Sequence, residues 1–165
     1  MLWSVFRYDC LWCRLSGGTD FVYEKDCDAY ATLDKFCNWN QMSEPACPLV
    51  VTGPYGSGKS ALLVNWLVHY RQRLAYRHKH GTTLKEPFVF YHAVGCTRRG
   101  VDIHQLLWRL LADLKQRFDL ARSVPSEATR LSWELPRFLE LAAQKGRVII
   151  VIDGLHRLQD KNGDI

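Results

Sequence analysis

Gly53-Pro54-Tyr55-Gly56-Ser57-Gly58-Lys59-Ser60 stands between the apolar run Leu49-Val50-Val51-Thr52 and a stretch from Ala61 onward that carries apolar residues at helical spacing. The eight residues match the pattern G-x-x-x-x-G-K-[ST], and the flanks predict the short buried strand before it and the helix after it that such a loop needs. A polyphosphate crowds several negative charges together. Glycines let consecutive backbone N–H groups approach those charges with no side chain in the way. A helix starting near Gly58 adds its positive N-terminal end, Lys59 offers a point charge to the outer phosphates, and the Ser60 hydroxyl stands where a Mg²⁺ ligand is wanted. The candidate nucleotide-binding set is therefore Gly53, Pro54, Tyr55, Gly56, Ser57, Gly58, Lys59, Ser60 and Ala61, with Ser60 also a metal ligand.

A second stretch supplies the metal's other partner. Val148-Ile149-Ile150-Val151-Ile152-Asp153 is an unbroken apolar run, rich in β-branched residues, that ends in a carboxylate. It reads as a Walker B strand, central in a parallel sheet and buried on both faces. Ligands of open α/β sheets gather beyond the carboxyl ends of the strands, which makes Asp153 the second candidate metal ligand.

The remaining elements alternate. Lys25–Asn40 is predicted helical with Tyr30, Leu33 and Phe36 on one side, and Ser43-Glu44-Pro45 breaks the chain before the first strand. The helix after the phosphate loop shows Leu62, Leu63, Trp66, Leu67 and Tyr70 on its apolar face and runs out in Arg71, Arg73, Arg77, His78, Lys79 and His80. Cations suit a helix C-terminus, and with no stacked aromatics among them the cluster reads as a solvated helix end. Phe88–Val94 is a second buried-strand pattern. Asp102-Ile103-His104-Gln105 resembles a capping box, followed by Ile103, Leu106, Leu107, Leu110, Leu111, Leu114 and Phe118 at three- and four-residue steps. A third helix spans about Leu131–Gln144, with Pro136 inside it and Gly146 closing it. Strands alternating with helices imply parallel pairing with crossovers, an α/β class of three-layer α/β/α architecture.

Composition bounds the rest. The chain has 165 residues, 47% hydrophobic and 24% charged, as a globular domain does, and its net charge of +5 suits acidic ligands without requiring a polynucleotide. Residues 1–20 read as an N-terminal extension and 21–165 as a partial nucleotide-binding domain. Arg7, Asp9 and Arg14 interrupt the apolar N-terminus, which fits neither a secretion signal nor a membrane span. Cys10 and Cys13 form a lone C-x-x-C with no second half; zinc or redox pairing is the alternative to plain thiols. A nucleotide-binding motif belongs in a reducing compartment, so a cytoplasmic location with reduced cysteines is expected.

Taken together, Pro48–Trp66 (PLVVTGPYGSGKSALLVNW), Phe88–Leu111 (FVFYHAVGCTRRGVDIHQLLWRLL) and Leu135–Leu158 (LPRFLELAAQKGRVIIVIDGLHRL) resemble the nucleotide-binding core of STAND-class P-loop NTPases, of nephrocystin-type and NACHT-like kind. The likeness covers about Phe21–Gln159. The Walker motifs are common to many ATPases, whereas Tyr91-His92-Ala93-Val94-Gly95 and Asp153-Gly154-Leu155 point more narrowly to this group. The resemblance implies a switch protein that holds ATP or ADP with Mg²⁺ and meets protein partners through regions missing from this chain, commonly tetratricopeptide, WD or ankyrin repeats.

The chain also departs from that family. Relatives tend to continue Asp-Gly-Leu with two acidic residues, and this chain has His156 and Arg157. The usual water-activating carboxylate is thus replaced, leaving His156 as the candidate base, or as a solvent-facing turn residue, and weak or no hydrolysis is expected. Phe21-Val22-Tyr23-Glu24-Lys25 stands where relatives hold the adenine with different residues. The sequence stops soon after Asp153, which reads as a fragment, a truncated isoform or a degenerate copy. A small-molecule phosphotransferase and a non-catalytic interaction domain with a vestigial loop are the alternative functions.

Overall fold

In a computed structural model, which describes residues 27–38, 48–80 and 86–160, the first helix runs over Cys27–Asn38 (α1), inside the predicted Lys25–Asn40. The N-terminal extension with Cys10 and Cys13, the Phe21–Lys25 stretch and the break at Ser43–Pro45 lie outside the described residues. The chain divides into two compact units, Met1–His80 and Gly81–Ile165.

In the first unit, α1 buries Tyr30 and Leu33 one turn apart, while Phe36 lies off that stripe and is exposed. Lys59–Lys79 forms α2, which buries Leu63, Val64, Trp66, Leu67 and Tyr70. The two helices are tied through Asp34 of α1, whose Oδ1 accepts from the Trp66 indole N–H at 2.9 Å and from Arg73. A buried indole N–H without a partner would cost about 1–3 kcal/mol, so Asp34 secures the orientation of the largest core side chain here. The strand predicted at Leu49–Thr52 is not formed. Leu49 is 40% and Val50 71% exposed, and a strand exists only where a neighbour takes up its backbone groups.

The second unit holds two strands and two long helices: Phe88–Ala93 (β1), Ile103–Phe118 (α3), Ala128–Lys145 (α4) and Val148–Asp153 (β2). The strands pair in parallel, from Phe88 opposite Val148 to Ala93 opposite Asp153. Parallel neighbours need a long connection, and α3 and α4 provide it while covering the sheet. The core joins Phe90 of β1 with Leu110, Leu111 and Leu114 of α3, Leu120 of the connection, and Leu131, Phe138 and Ala142 of α4. Each large side chain fully removed from water contributes about 1.5–3 kcal/mol, and Leu111, Leu114 and Phe138 are wholly buried.

Local chemistry sets the helix ends. Asp102, only 3% exposed, caps α3 by accepting from the His104 backbone N–H at 2.9 Å. Asp119 ends that helix in the left-handed region, φ 46°. α4 begins at Ala128, three residues before the predicted start, and passes through Pro136 without a break. Gly146 follows it in extended backbone, φ 177°, where a Cβ would lie 3.1 Å from the Phe118 ring. β2 corrects the expectation of burial on both faces. Ile149 is buried, but Ile150 and Ile152 are 37% and 36% exposed, because among the described residues β2 has a strand neighbour on one flank alone.

Candidate functional site

The phosphate loop lies in the first unit and is shaped by its own backbone. The Ser57 N–H donates to the Pro54 carbonyl at 3.3 Å, closing a turn, and Gly56 and Gly58 adopt φ 79° and 82°. Those left-handed conformations are the ones glycine enters without steric cost. A Cβ built at either position meets nothing within 4 Å, so the space beside both glycines is open. Gly53 has a different constraint: a Cβ there would stand 2.9 Å from Ser57 Oγ.

α2 starts directly from this turn. Gly58 is its N-cap and offers no side-chain cap, so the N–H groups of the first turn face outward beside the loop; the Leu62 N–H to Gly58 carbonyl bond, 2.8 Å, begins the helical ladder. Uncapped N–H groups and the helix dipole make a seat for anionic oxygens. Lys59 folds back over the loop, its Nζ donating to the carbonyls of Gly53 (2.9 Å) and Pro54 (2.7 Å) and to Ser57 Oγ (3.3 Å). The ammonium thereby holds the loop in shape and sits at its mouth. Ser60 and Ala61 are half-buried on the first turn, whereas Tyr55 at the tip is 94% exposed.

The carboxylate end lies in the second unit. Asp153 is the last residue of β2, half-buried, with its backbone carbonyl accepting from the Val94 N–H at 2.8 Å. Tyr91 O–H donates to Asp153 Oδ2 at 3.4 Å, a long bond that still orients the carboxylate. The register makes this contact possible: Tyr91 lies opposite Val151, so it and Asp153 project from the same face two positions apart. Arg109 of α3 donates to the Tyr91 carbonyl at 2.7 Å and places its guanidinium 4.4 Å from the Phe90 ring centre. Burial pushes the Arg109 pKa below its usual value, with Asp113 opposing, and raises that of Asp113, with Arg109 opposing.

Beyond the strands, two short turns close this end. His92 is buried, with Nε2 2.9 Å from the Gly100 carbonyl, which ties β1 to the turn Arg98–Val101. In that tautomer Nε2 carries the proton and Nδ1, buried, has no partner. Burial first, and then Arg109, hold the His92 pKa below 6.5 against the carbonyl bond that would raise it. On the other side, Gly154 (φ 76°) turns the chain into Leu155–Arg157, with its own would-be Cβ 3.3 Å from the Val94 carbonyl. His156 is exposed on that turn, and the Arg157 side chain lies over Gly95, where a Cβ would meet its Cδ at 3.2 Å. Gln159 then runs beside Asp102, donating to the Val101 carbonyl at 2.7 Å and accepting from Ile103 at 3.1 Å.

The structure thus brings the candidate residues 53–61 together in one loop and helix start, and Asp153 with His156 at one strand end. Sequence reasoning missed Tyr91, Arg109 and His92 as supports of that end. Their signal is weak, since only the strand register brings Tyr91 to Asp153. Among the described residues no three His, Cys, Asp or Glu side chains converge as a ready-made metal site, and no helix is long and apolar enough to cross a membrane.

A glycine loop leading into an uncapped helix, with a parallel strand ending in aspartate, defines a P-loop ATPase of mixed α/β fold. The chain belongs to the AAA ATPase domain family, whose profile matches residues 33–165. That membership carries nucleotide binding with Mg²⁺ as a general property. Two curated proteins from Mus musculus are similar to it. Telomerase protein component 1 is 27% identical over 121 residues, covering 70% of this chain and 4% of that protein. Nephrocystin-3 is 30% identical over 117 residues, covering 70% of this chain and 8% of that protein, which bears out the nephrocystin-type resemblance as a distant one. No solved structure matches the chain.

Proposed function

We propose that this chain is the ATP- or ADP-binding core of a STAND-type signalling or scaffolding switch, with weak or no hydrolysis of its own. The observation that carries the reading is the loop at 53–60: two glycines in left-handed backbone with open space beside them, and a helix start with no side-chain cap. Backbone N–H groups from Gly56 to Ala61 would bind the phosphate oxygens. Lys59 would exchange its carbonyl partners for the outer phosphates, a short swing for a side chain already at the loop's mouth. Ser60 and Asp153 would hold Mg²⁺, which when bound neutralises charge on the phosphates.

Weak hydrolysis follows from the residues after Asp153. A water-orienting group must lie close to the outer phosphate, and acidic residues at this point are replaced by His156 and Arg157, the first of which faces solvent. A site that binds and seldom hydrolyses suits a protein whose bound nucleotide biases a conformational equilibrium. Protein partners would then be engaged by other parts of a longer protein.

Calorimetric titration with Mg-ATP and Mg-ADP tests the reading. The chain is expected to bind both, and Lys59→Ala to weaken binding by about 100-fold or more, on the order of what removal of a preorganised charge-stabilising donor costs elsewhere. Undiminished affinity in that variant would remove the loop from the site.

A further inference from the structure

The phosphate loop uses only the first turn of α2, and the far end of the same helix carries features that site does not need. From Lys59 to His80 there is no Asp or Glu, yet Arg71, Arg73, Arg77, His78, Lys79 and His80 crowd its second half. The buried positions of α2 end at Tyr70, so the nine residues that follow stay helical with none of them buried. Arg73 is neutralised by Asp34. Arg77 and Lys79 have no carboxylate within 4 Å among the described residues.

The helix dipole accounts for some of this charge, since cations are favoured in a last turn. It does not account for Tyr76, which is 66% exposed in the midst of them, its ring centre 4.2 Å from that of His80. Arg73, Tyr76, Arg77 and His80 recur at i, i+3, i+4 and i+7 and so share one face. The cluster is a solvated helix end, as its sequence reads, and an exposed aromatic ring, Tyr76, stands on it beside Arg77 and His80. Seven helical steps make the shared face about 10 Å long, which spans about three nucleotides at the spacing of one strand.

We propose that the C-terminal end of α2, where Tyr76 shares a face with Arg77 and His80 and Lys79 stands on the neighbouring face, is a docking surface for single-stranded nucleic acid. The cations meet the phosphates and Tyr76 stacks on a base. Duplexes hide their base faces, and an anionic lipid surface or an acidic peptide offers none, so the exposed ring selects the single strand among polyanions. The surface is separate in sequence and in residues from the loop that would hold ATP.

Fluorescence anisotropy of the full 165-residue chain with labelled 12-nucleotide oligo(dT) and oligo(rU) tests this. Binding is expected to weaken with salt by about 0.7 log units per log unit for each phosphate contacted. Tyr76→Ala should lose about tenfold in affinity with an unchanged salt slope, Tyr76→Phe should retain it, and Arg77→Ala or Lys79→Ala should lower the slope. All these positions are exposed, so circular dichroism should be unaltered. Lys59→Ala should bind the oligonucleotide as before, which separates this face from the phosphate loop. Equal affinity for a duplex of the same length, an unaffected Tyr76→Ala, or binding to phosphatidylserine vesicles but not to oligonucleotide would each overturn the proposal.

Discussion

The phosphate loop of the first unit and the Asp153 strand end of the second are held by different means. At 53–60 the binding groups are backbone N–H donors, oriented by glycine conformations and a turn that spans four residues. At Asp153 the functional group is one side chain, and its position is the sum of a strand register, the Tyr91 bond and a core that reaches from Phe90 to Ala142. The first is local and is read directly from eight residues. The second depends on groups far apart in the chain, Tyr91 and Asp153 being separated by 62 positions.

That contrast is broken most severely in the core. Phe138→Ala removes a wholly buried ring from the packing behind the strands and should cost about 3–5 kcal/mol in a denaturant melt. No single change in the loop should approach this. Gly58→Ala puts a side chain into left-handed backbone at φ 82°, for about 1–2 kcal/mol of local strain, because the space around it is open. Its measured consequence should be poorer Mg-ATP affinity by titration with a melt shifted far less than that of Phe138→Ala. A loop variant as destabilising as the core variant would mean the loop is not local.

Tyr91→Phe tests the strand end more gently. It removes one long hydrogen bond to Asp153, worth about 0.5–1.5 kcal/mol, and should raise the Mg²⁺ concentration needed for tight nucleotide binding while leaving magnesium-free binding unchanged. The smallest effect is expected from pH. His92 has a folded pKa lowered beneath 6.5, so above that pH both folded and unfolded forms are neutral and the residue contributes no pH dependence. Below it the unfolded chain takes up the proton first, and stability falls until the folded pKa is passed. Melting temperature should therefore drop on acidification from about pH 7, and His92→Gln should flatten that drop; an unchanged profile would mean the buried imidazole is not the group that titrates.

Much of the architecture was legible because its causes are short in range. The three- and four-residue steps between Ile103 and Phe118 mark the stretch that α3 occupies, and Phe88–Val94 predicts β1 within one. α4 begins earlier than expected because its N-cap, Glu127, makes no side-chain capping bond and so gives no start signal in the sequence; its carboxylate pairs instead with Arg130. A proline inside a helix favours a kink, yet packing of Leu131, Phe138 and Ala142 carries α4 through Pro136. The strand at 49–52 and the double burial of β2 failed for one reason. Apolar runs say that a segment can be buried, but a partner has to be supplied by another part of the fold.

By itself the sequence determined the phosphate loop, the order of strands and helices, and the aspartate that ends β2, since glycine conformations and periodicities of 2 and 3.6 act between near neighbours. Tertiary structure alone decided that Tyr91 steadies Asp153, that His92 is buried with one nitrogen unpartnered, and that Tyr76 stands in solvent among cations. Register and burial are set by residues far apart in the chain, and no local pattern contains them.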